Sequence, residues 1–112
     1  MPKYKLLALT TPVAGKEKEY HDWYNNVHLP ELLTFNGMKK AQRYKLETKL
    51  IGADTNPFLA IYDIECPDGL AFLGEMGQAA ASGKLTQSDA ADMSSTYTAL
   101  FSEYGEPVLP KA

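Results

Sequence analysis

The sequence has little of what marks secreted, nucleic-acid-binding or membrane proteins. Its only cysteine, Cys66, excludes an internal disulfide, which is typical of a reducing compartment. It has no basic run and a net charge of −3, so neither nucleic acid nor an anionic membrane surface is an expected partner. The apolar run near the start, Leu6 to Leu9, is too short for a signal peptide or a membrane span. We therefore expect a cytoplasmic protein.

Motifs for phosphate binding, acyl transfer and metal binding are also missing. There is no Gly-rich phosphate loop, no GxSxG and no CxxC. The two histidines, His21 and His28, would lie ~10.5 Å apart along a helix axis, too far to ligate one metal ion. Cys66 has no base near it in the sequence, so a nucleophilic role is not expected. We predict no metal site and no cofactor, and a surface position for His21.

What the chain does contain is typical of one globular domain. It has 112 residues, of which 45% are hydrophobic and 22% charged, enough for a single core. We expect one domain over residues 1–112.

One stretch, Lys16 to Gly37, holds both histidines and the only tryptophan. Helical spacing places four apolar residues on one side of a predicted helix: Tyr20, Trp23, Tyr24 and Val27. His28 lies at the edge of this stripe. Because Pro30 disfavours helical geometry at Leu29, we predict a helix break just after His28. A short second helix, PELLTF, should follow and end at Asn36-Gly37.

The remaining pattern predicts the order β-α-β-β-α-β. The predicted elements are strands over Tyr4 to Thr11, Met38 or Ala41 to Ile51, Phe58 to Glu65 and Ser94 to Tyr104, a helix from the N-cap Asp68 to about Ala81, and a helical turn over Thr86 to Met93 that begins with a capping box. This order predicts an α+β, ferredoxin-like fold. Its antiparallel four-stranded sheet should have the strand order 4-1-3-2, with the helices on one face.

The first predicted strand, Tyr4 to Thr11, is nearly apolar on both of its faces. Helices cover only one face of such a sheet, so we expect a second copy of the chain to cover the other. The predicted partner is therefore the protein itself, in a homodimer formed through the open sheet face. Asp63 is unusual in its apolar strand, and three roles are open to it: facing the dimer barrel, pairing with a lysine, or acting as an acid or base.

The segment from Tyr20 to Leu46 resembles the signature of EthD-like proteins. The matching residues are Trp23-Tyr24, His28-Leu29-Pro30-Glu31-Leu32-Leu33, Asn36-Gly37 and Arg43-Tyr44. Asn36 stands where the family usually has a proline, a departure that affects turn geometry. The resemblance implies a dimeric α/β barrel of the ferredoxin-like superfamily. That superfamily includes polyketide cyclases, lactone isomerases, decarboxylases and haem-degrading monooxygenases.

His28 is the strongest candidate for acid–base chemistry, because imidazole gives and takes protons near neutral pH. Its alternative role is to tie the helix end to a backbone carbonyl. A hydroxyl of Tyr24 or Tyr62 would polarise a carbonyl or stabilise an enolate. Three more aromatic residues are candidates for the wall of an apolar cavity, with core or edge packing as the alternative: Tyr20, Trp23 and Tyr44.

These residues predict a cofactor-independent enzyme that performs a cyclisation, isomerisation or lyase step on a cyclic or aromatic-derived metabolite. One alternative is a non-catalytic binding protein for an apolar small molecule. Another, implied by the superfamily, is a haem-binding protein with His28 as axial ligand.

Overall fold

Four strands with helices on one side of them form an α+β fold. The computed structural model describes residues 1–111. The elements in chain order are β1 (Lys3–Thr10), α1 (Glu17–Trp23), a π-helical segment (Tyr24–His28), α2 (Leu29–Leu32), β2 (Met38–Lys45), β3 (Phe58–Glu65), α3 (Gly69–Ala81), a 3-10 turn (Met93–Ser95) and β4 (Tyr97–Ser102). All strand pairs are antiparallel in the order β2-β3-β1-β4, which confirms the predicted fold and strand order. Among residues 1–111, no helix has the length and apolar character needed to cross a membrane.

Alternation along the strands gives the sheet a covered face, under the helices, and an open face. In β3, Ala60, Tyr62 and Ile64 are each 1% exposed, whereas the intervening Leu59 and Ile61 are half-buried. The neighbouring β1 repeats this pattern in register, since Leu6 pairs with Tyr62 and Leu7 with Ile61. The core therefore lies between the covered face and the helices.

The predicted helix break after His28 is wrong. Leu29 has φ −61° and ψ −47°, so α1, the π-helical segment and α2 follow one another without a non-helical residue. The Leu29 N–H donates to the carbonyl of Tyr24, five residues back, which is the π-helical hydrogen bond. A proline in a helix clashes with the carbonyl four residues earlier, and the wider π turn relieves this clash at Pro30.

The short second helix is also shorter than predicted, because α2 ends at Leu32 instead of Phe35. The turn that follows needs Gly37, whose φ is +106°. A Cβ at this position would lie 2.9 Å from the carbonyl oxygen of Glu65. The turn therefore packs directly on the end of β3.

Two other boundaries differ from the prediction. β2 begins at Met38 with a bulge before Lys40, and it ends at Lys45 instead of Ile51, because its partner β3 begins only at Phe58. Residues 86–92 form no helical turn, since the hydroxyl and amide of Thr86 bind Glu31 and do not cap a helix. The predicted N-cap of α3 is confirmed, because the Asp68 carboxylate accepts the backbone N–H groups of Leu70 and Ala71.

Candidate functional site

Six rings form one cluster between the covered face and the first helical region. This aromatic cluster consists of Tyr20, Trp23, Tyr24, His28, Phe58 and Tyr62. Tyr20 and Tyr24 meet edge to face with centroids 5.5 Å apart, and Tyr20 lies 5.8 Å from Phe58. The π-helical segment continues this row, because Tyr24 and His28 lie at its first and last positions. The structure thus brings together five of the six residues that the sequence singled out.

The tyrosine hydroxyls of the cluster bind one another and β1. Tyr20 shares a hydrogen bond with the Thr10 hydroxyl, and the hydroxyls of Tyr24 and Tyr62 lie 3.4 Å apart. All three tyrosines are at most 2% exposed. Burial raises the pKa of both Tyr24 and Tyr62 above the usual range for a phenol. Both therefore stay protonated and remain hydrogen-bond donors at neutral pH.

The His28 ring stacks on Trp23 at a centroid distance of 4.5 Å and meets the edge of Tyr24 at 5.0 Å. Its Nδ1 atom is fully buried and has no hydrogen-bond partner among the described residues. Burial lowers the pKa of His28 to about 4, and the smaller influence of Glu31 acts in the opposite direction. The ring is therefore neutral at pH 7. Within residues 1–111, Nδ1 therefore makes no hydrogen bond to a backbone carbonyl, which was the alternative role predicted for His28 at the helix end.

Arg43, on β2, is a site residue that the sequence interpretation did not single out. Its guanidinium carbon lies 4.3 Å from the ring centre of Tyr24 and 5.4 Å from those of Tyr20 and Phe58. The predicted strand order places β2 at an edge of the sheet, where a basic side chain is usually exposed. Alternation turns Arg43 to the covered face, opposite Ala60 of β3. One feature of the sequence could have drawn attention to Arg43, because it is the only arginine in the chain.

His21 contacts the site from a half-buried position, whereas a surface position was predicted. Its ring meets the edge of Phe58 at 4.6 Å, and its Nδ1 accepts a hydrogen bond from Arg43 at 3.1 Å. Burial and the neighbouring guanidinium both lower the pKa of His21. Position 21 follows Tyr20 on the helix, and this end of α1 lies over the β2–β3 edge. The prediction failed because the sequence does not say which neighbour α1 packs against.

Tyr44 lies apart from the cluster. It pairs with Leu59 on the open face of the sheet and is 48% exposed. On the same face, Asp63 forms an ion pair with Lys5, so the lysine pairing is the role that the structure shows. The strand alternation that turns Arg43 toward the helices turns Tyr44 away from them.

Hydrogen bonds at one residue, Thr86, join the segment after α3 to the outer side of the cluster. The Trp23 indole N–H donates to the Thr86 carbonyl at 3.0 Å. The Glu31 carboxylate accepts the Thr86 N–H at 2.8 Å and its hydroxyl at 2.6 Å. A groove of about 600 Å³ adjoins this contact, between Glu31 and Glu75 of α3. Among residues 1–111, His, Cys, Asp and Glu side chains do not gather in groups of three that would hold a metal ion.

Comparison with known proteins finds a similar fold among solved structures. No family model and no curated protein matches the sequence. The fold is similar to the crystal structure of an ethyl tert-butyl ether D (EthD) family protein from Bacillus halodurans C-125, with a TM-score of 0.60. The two chains share 18% identity, and the match covers 96% of this chain and 100% of the other. The chain thus has the EthD-like fold that its motif predicted, and at this identity the likeness establishes the fold alone.

Proposed function

We propose that the protein is a cofactor-independent enzyme that moves a proton on a cyclic or aromatic-derived metabolite, with His28 as the acid–base group. The observation that carries this proposal is the buried, unpartnered Nδ1 of a neutral His28 ring, in edge contact with Tyr24. A buried nitrogen without a partner costs about 1–3 kcal/mol. A histidine with a purely structural role would not carry that cost.

The His28 imidazole and the tyrosine hydroxyls have complementary protonation states, because the first can accept a proton and the second can donate a hydrogen bond. The neutral imidazole of His28 takes a proton from a carbon next to a carbonyl, and the carbonyl oxygen becomes an enolate oxygen. A hydroxyl of Tyr24 or Tyr62 donates a hydrogen bond to that oxygen as the charge develops. The imidazolium then returns its proton to the same carbon or another, which completes an exchange or an isomerisation. The negative enolate stabilises the imidazolium, which offsets the low pKa of the base.

The flat rings around His28 favour a ring-shaped substrate. Trp23 stacks on His28 and is half-buried, so an edge of this wall is open to solvent. Aromatic surfaces bind planar apolar ligands by stacking and by burial of apolar area. We assign substrate contact to Trp23 and, deeper in the cluster, to Tyr20.

A non-catalytic binding protein is the second candidate, and one observation favours it. The hydroxyls of Tyr20, Tyr24 and Tyr62 already have partners inside the protein, as structural tyrosines do. A haem-binding protein fits the site poorly. An axial ligand must present a ring nitrogen to a wide apolar slot, whereas the rings of Trp23 and Tyr24 pack against His28 at centroid distances of 4.5 and 5.0 Å. We expect the purified protein to show no Soret band.

The enzyme proposal is tested by α-proton exchange in a cyclic ketone. The probe is 2-tetralone in D₂O, and the loss of its α-proton signals is followed by NMR. We expect the wild-type protein to accelerate exchange over buffer. His28→Gln should reduce that acceleration by a factor of about 10²–10⁴, the usual contribution of a general base.

Asn26→Ala is the matched control, because Asn26 lies in the same π-helical segment and is exposed. It should exchange tetralone at the wild-type rate. Equal acceleration by wild type and His28→Gln would reject the acid–base role. If neither wild type nor His28→Gln exchanges the ketone but both bind naphthalene-type ligands equally, the binding function replaces the enzyme function.

We also propose that the open face pairs with the open face of a second copy. Leu7, Leu9 and Ile61 on this face are apolar, and Phe101 beside them is 55% exposed. An apolar sheet face of this kind normally has a cover. Sedimentation equilibrium should give twice the chain mass of 12.4 kDa. A monomer at micromolar concentration would contradict the pairing.

A further inference from the structure

Arg43 is a half-buried cation whose contacts in the fold are all uncharged. Its Nη1 donates to the Asn25 side-chain oxygen at 3.0 Å, and its Nη2 donates to Nδ1 of His21 at 3.1 Å. Its remaining close neighbours are the faces of aromatic rings. Within residues 1–111, each of the four ion pairs is formed by a lysine. The guanidinium thus has no carboxylate of the described chain to neutralise it.

Removing a cation from water without an anion is costly, so such a group is normally paired. Two neutral acceptors and three rings hold the guanidinium in one orientation, which is more ordering than a surface arginine receives. A guanidinium has five N–H donors, and the two hydrogen bonds use one N–H each. The rest of this planar fork matches the two oxygens of a carboxylate.

We propose that Arg43 binds an ionised carboxylate on the ligand of the aromatic cluster, so that the substrate is a cyclic or aromatic carboxylic acid. This inference rests on the proposed function for the position of the ligand and adds its charge. The ring of the ligand lies against the aromatic cluster, and its carboxylate lies against the guanidinium above Tyr24. His21 and Asn25 are positioning residues, because they fix the plane of the guanidinium.

The neutral state of His21 is part of this arrangement. Its Nδ1 accepts a hydrogen bond from the Arg43 guanidinium, so the ring proton lies on Nε2. A lysine in place of Arg43 would keep the charge but lose the two-pronged geometry. An Arg43→Lys variant therefore separates the shape of the guanidinium from its charge.

A single arginine makes the test direct, because the protein has one arginine Nε–H signal in a ¹⁵N–¹H NMR spectrum. The matched probes are 2-naphthoate and its neutral analogue 2-naphthamide, each titrated to millimolar concentration. We expect 2-naphthoate to shift the Arg43 signal in a saturable way and 2-naphthamide to leave it in place. Equal responses to the two probes, or no response to either, would overturn the proposal.

Variants then test the residue by calorimetric titration of 2-naphthoate. Arg43→Gln should weaken binding by about tenfold or more, and Arg43→Lys by less. Lys45→Gln is the matched control, because it removes one charge from the same strand at an exposed position and should bind within about twofold of wild type. Similar losses in Lys45→Gln and Arg43→Gln would reduce the effect to general charge and overturn the specific site. The wild-type NMR result stands even if Arg43→Gln does not fold.

The His28→Gln variant separates this proposal from the proposed function. It should keep the 2-naphthoate shift of the Arg43 signal while losing ketone exchange. Exchange lost with the shift unchanged supports both proposals. A shift present with exchange unaffected by His28→Gln sinks the acid–base role and leaves the carboxylate site in place.

Discussion

The two faces of the sheet come from the same strands and have opposite chemistry. On the covered face, β3 contributes Tyr62, whose hydroxyl joins a buried polar pair, and β2 contributes Arg43. On the open face, the alternate positions carry Leu59 and Ile61, beside Leu7 of β1. Aliphatic side chains neither bind nor release protons. The proposed acid–base groups therefore lie on the covered face, whereas on the open face Lys5 and Asp63 are tied to each other in an ion pair beside apolar contact area.

Replacing one isoleucine on each face should give the largest contrast. Ile64 is 1% exposed on the covered face, so Ile64→Ala leaves a cavity and should cost about 2–5 kcal/mol of unfolding free energy. Ile61, three residues earlier in the same strand, is half-buried on the open face. The loss in Ile61→Ala should be smaller at high dilution. Urea unfolding at two protein concentrations measures both changes.

The concentration dependence distinguishes the two faces further. If the open face pairs with a second copy, wild-type stability rises with protein concentration and Ile61→Ala weakens that rise. The effect of Ile64→Ala should be the same at both concentrations. A concentration-independent loss in Ile61→Ala as large as that in Ile64→Ala would remove the distinction between the faces.

The second effect is a pH dependence that arises on the covered face. The pKa of His28 is about 4 in the folded protein, against 6.5 for an ordinary histidine. The unfolded chain therefore binds this proton more tightly, and stability that is fully present above pH 6.5 is lost as the pH falls toward 4. After allowance for partial solvent access, this pKa shift corresponds to about 2–3 kcal/mol of unfolding free energy. Wild type and His28→Gln are unfolded in urea at pH 7 and at pH 4. Between these pH values, wild type should lose more unfolding free energy than His28→Gln by this amount.

Other groups titrate in the same range, and subtraction removes most of their contribution. His21 also has a lowered pKa, as do the carboxylates of Glu31 and Asp92. His21 and Asp92 are present in both proteins and cancel in the difference, whereas the Glu31 carboxylate interacts with His28 and adds a smaller part to it. Parallel pH profiles for wild type and His28→Gln would mean that the ring is hydrated in solution and that the low pKa is absent.

The smallest effect concerns the rim of the covered face. Trp23→Phe removes the indole N–H that donates to the Thr86 carbonyl and keeps an aromatic ring against His28. One hydrogen bond of this type contributes about 0.5–1.5 kcal/mol. The thermal midpoint should fall slightly, and the Thr86 amide should exchange with deuterium faster. Unchanged exchange at Thr86 would show that the Glu31 carboxylate alone protects this amide.

Sequence periodicity predicted the two faces well. In the predicted strand Phe58 to Glu65, a period of two places Ala60, Tyr62 and Ile64 on one face, and the structure buries these three side chains. The helical period of 3.6 residues likewise placed Tyr20, Trp23 and Tyr24 on one side of the helix, and these three belong to the cluster. Which face Tyr44 occupies depends on the strand register, which a list of residue types does not contain.

The remaining features depend on contacts between distant segments. The π-helical segment changes a hydrogen bond by one residue and leaves no mark on composition, so the proline was interpreted as a break. Arg43 reaches His21 and Asn25 only because β2 lies beside the first helical region. A basic residue in an edge strand usually indicates solvent exposure, and here the covered face overrides that tendency.

The stacking of Trp23 on His28 gives the protein an optical signal of its own. Trp23 is the only indole in the chain, so all tryptophan emission comes from a ring 4.5 Å from the imidazole. An imidazolium accepts an electron from excited indole and quenches its light, whereas a neutral imidazole does so weakly. A proton or a ligand that reaches His28 therefore changes the emission intensity. Occupancy of the site can be followed by fluorescence, without a label and before any substrate is identified.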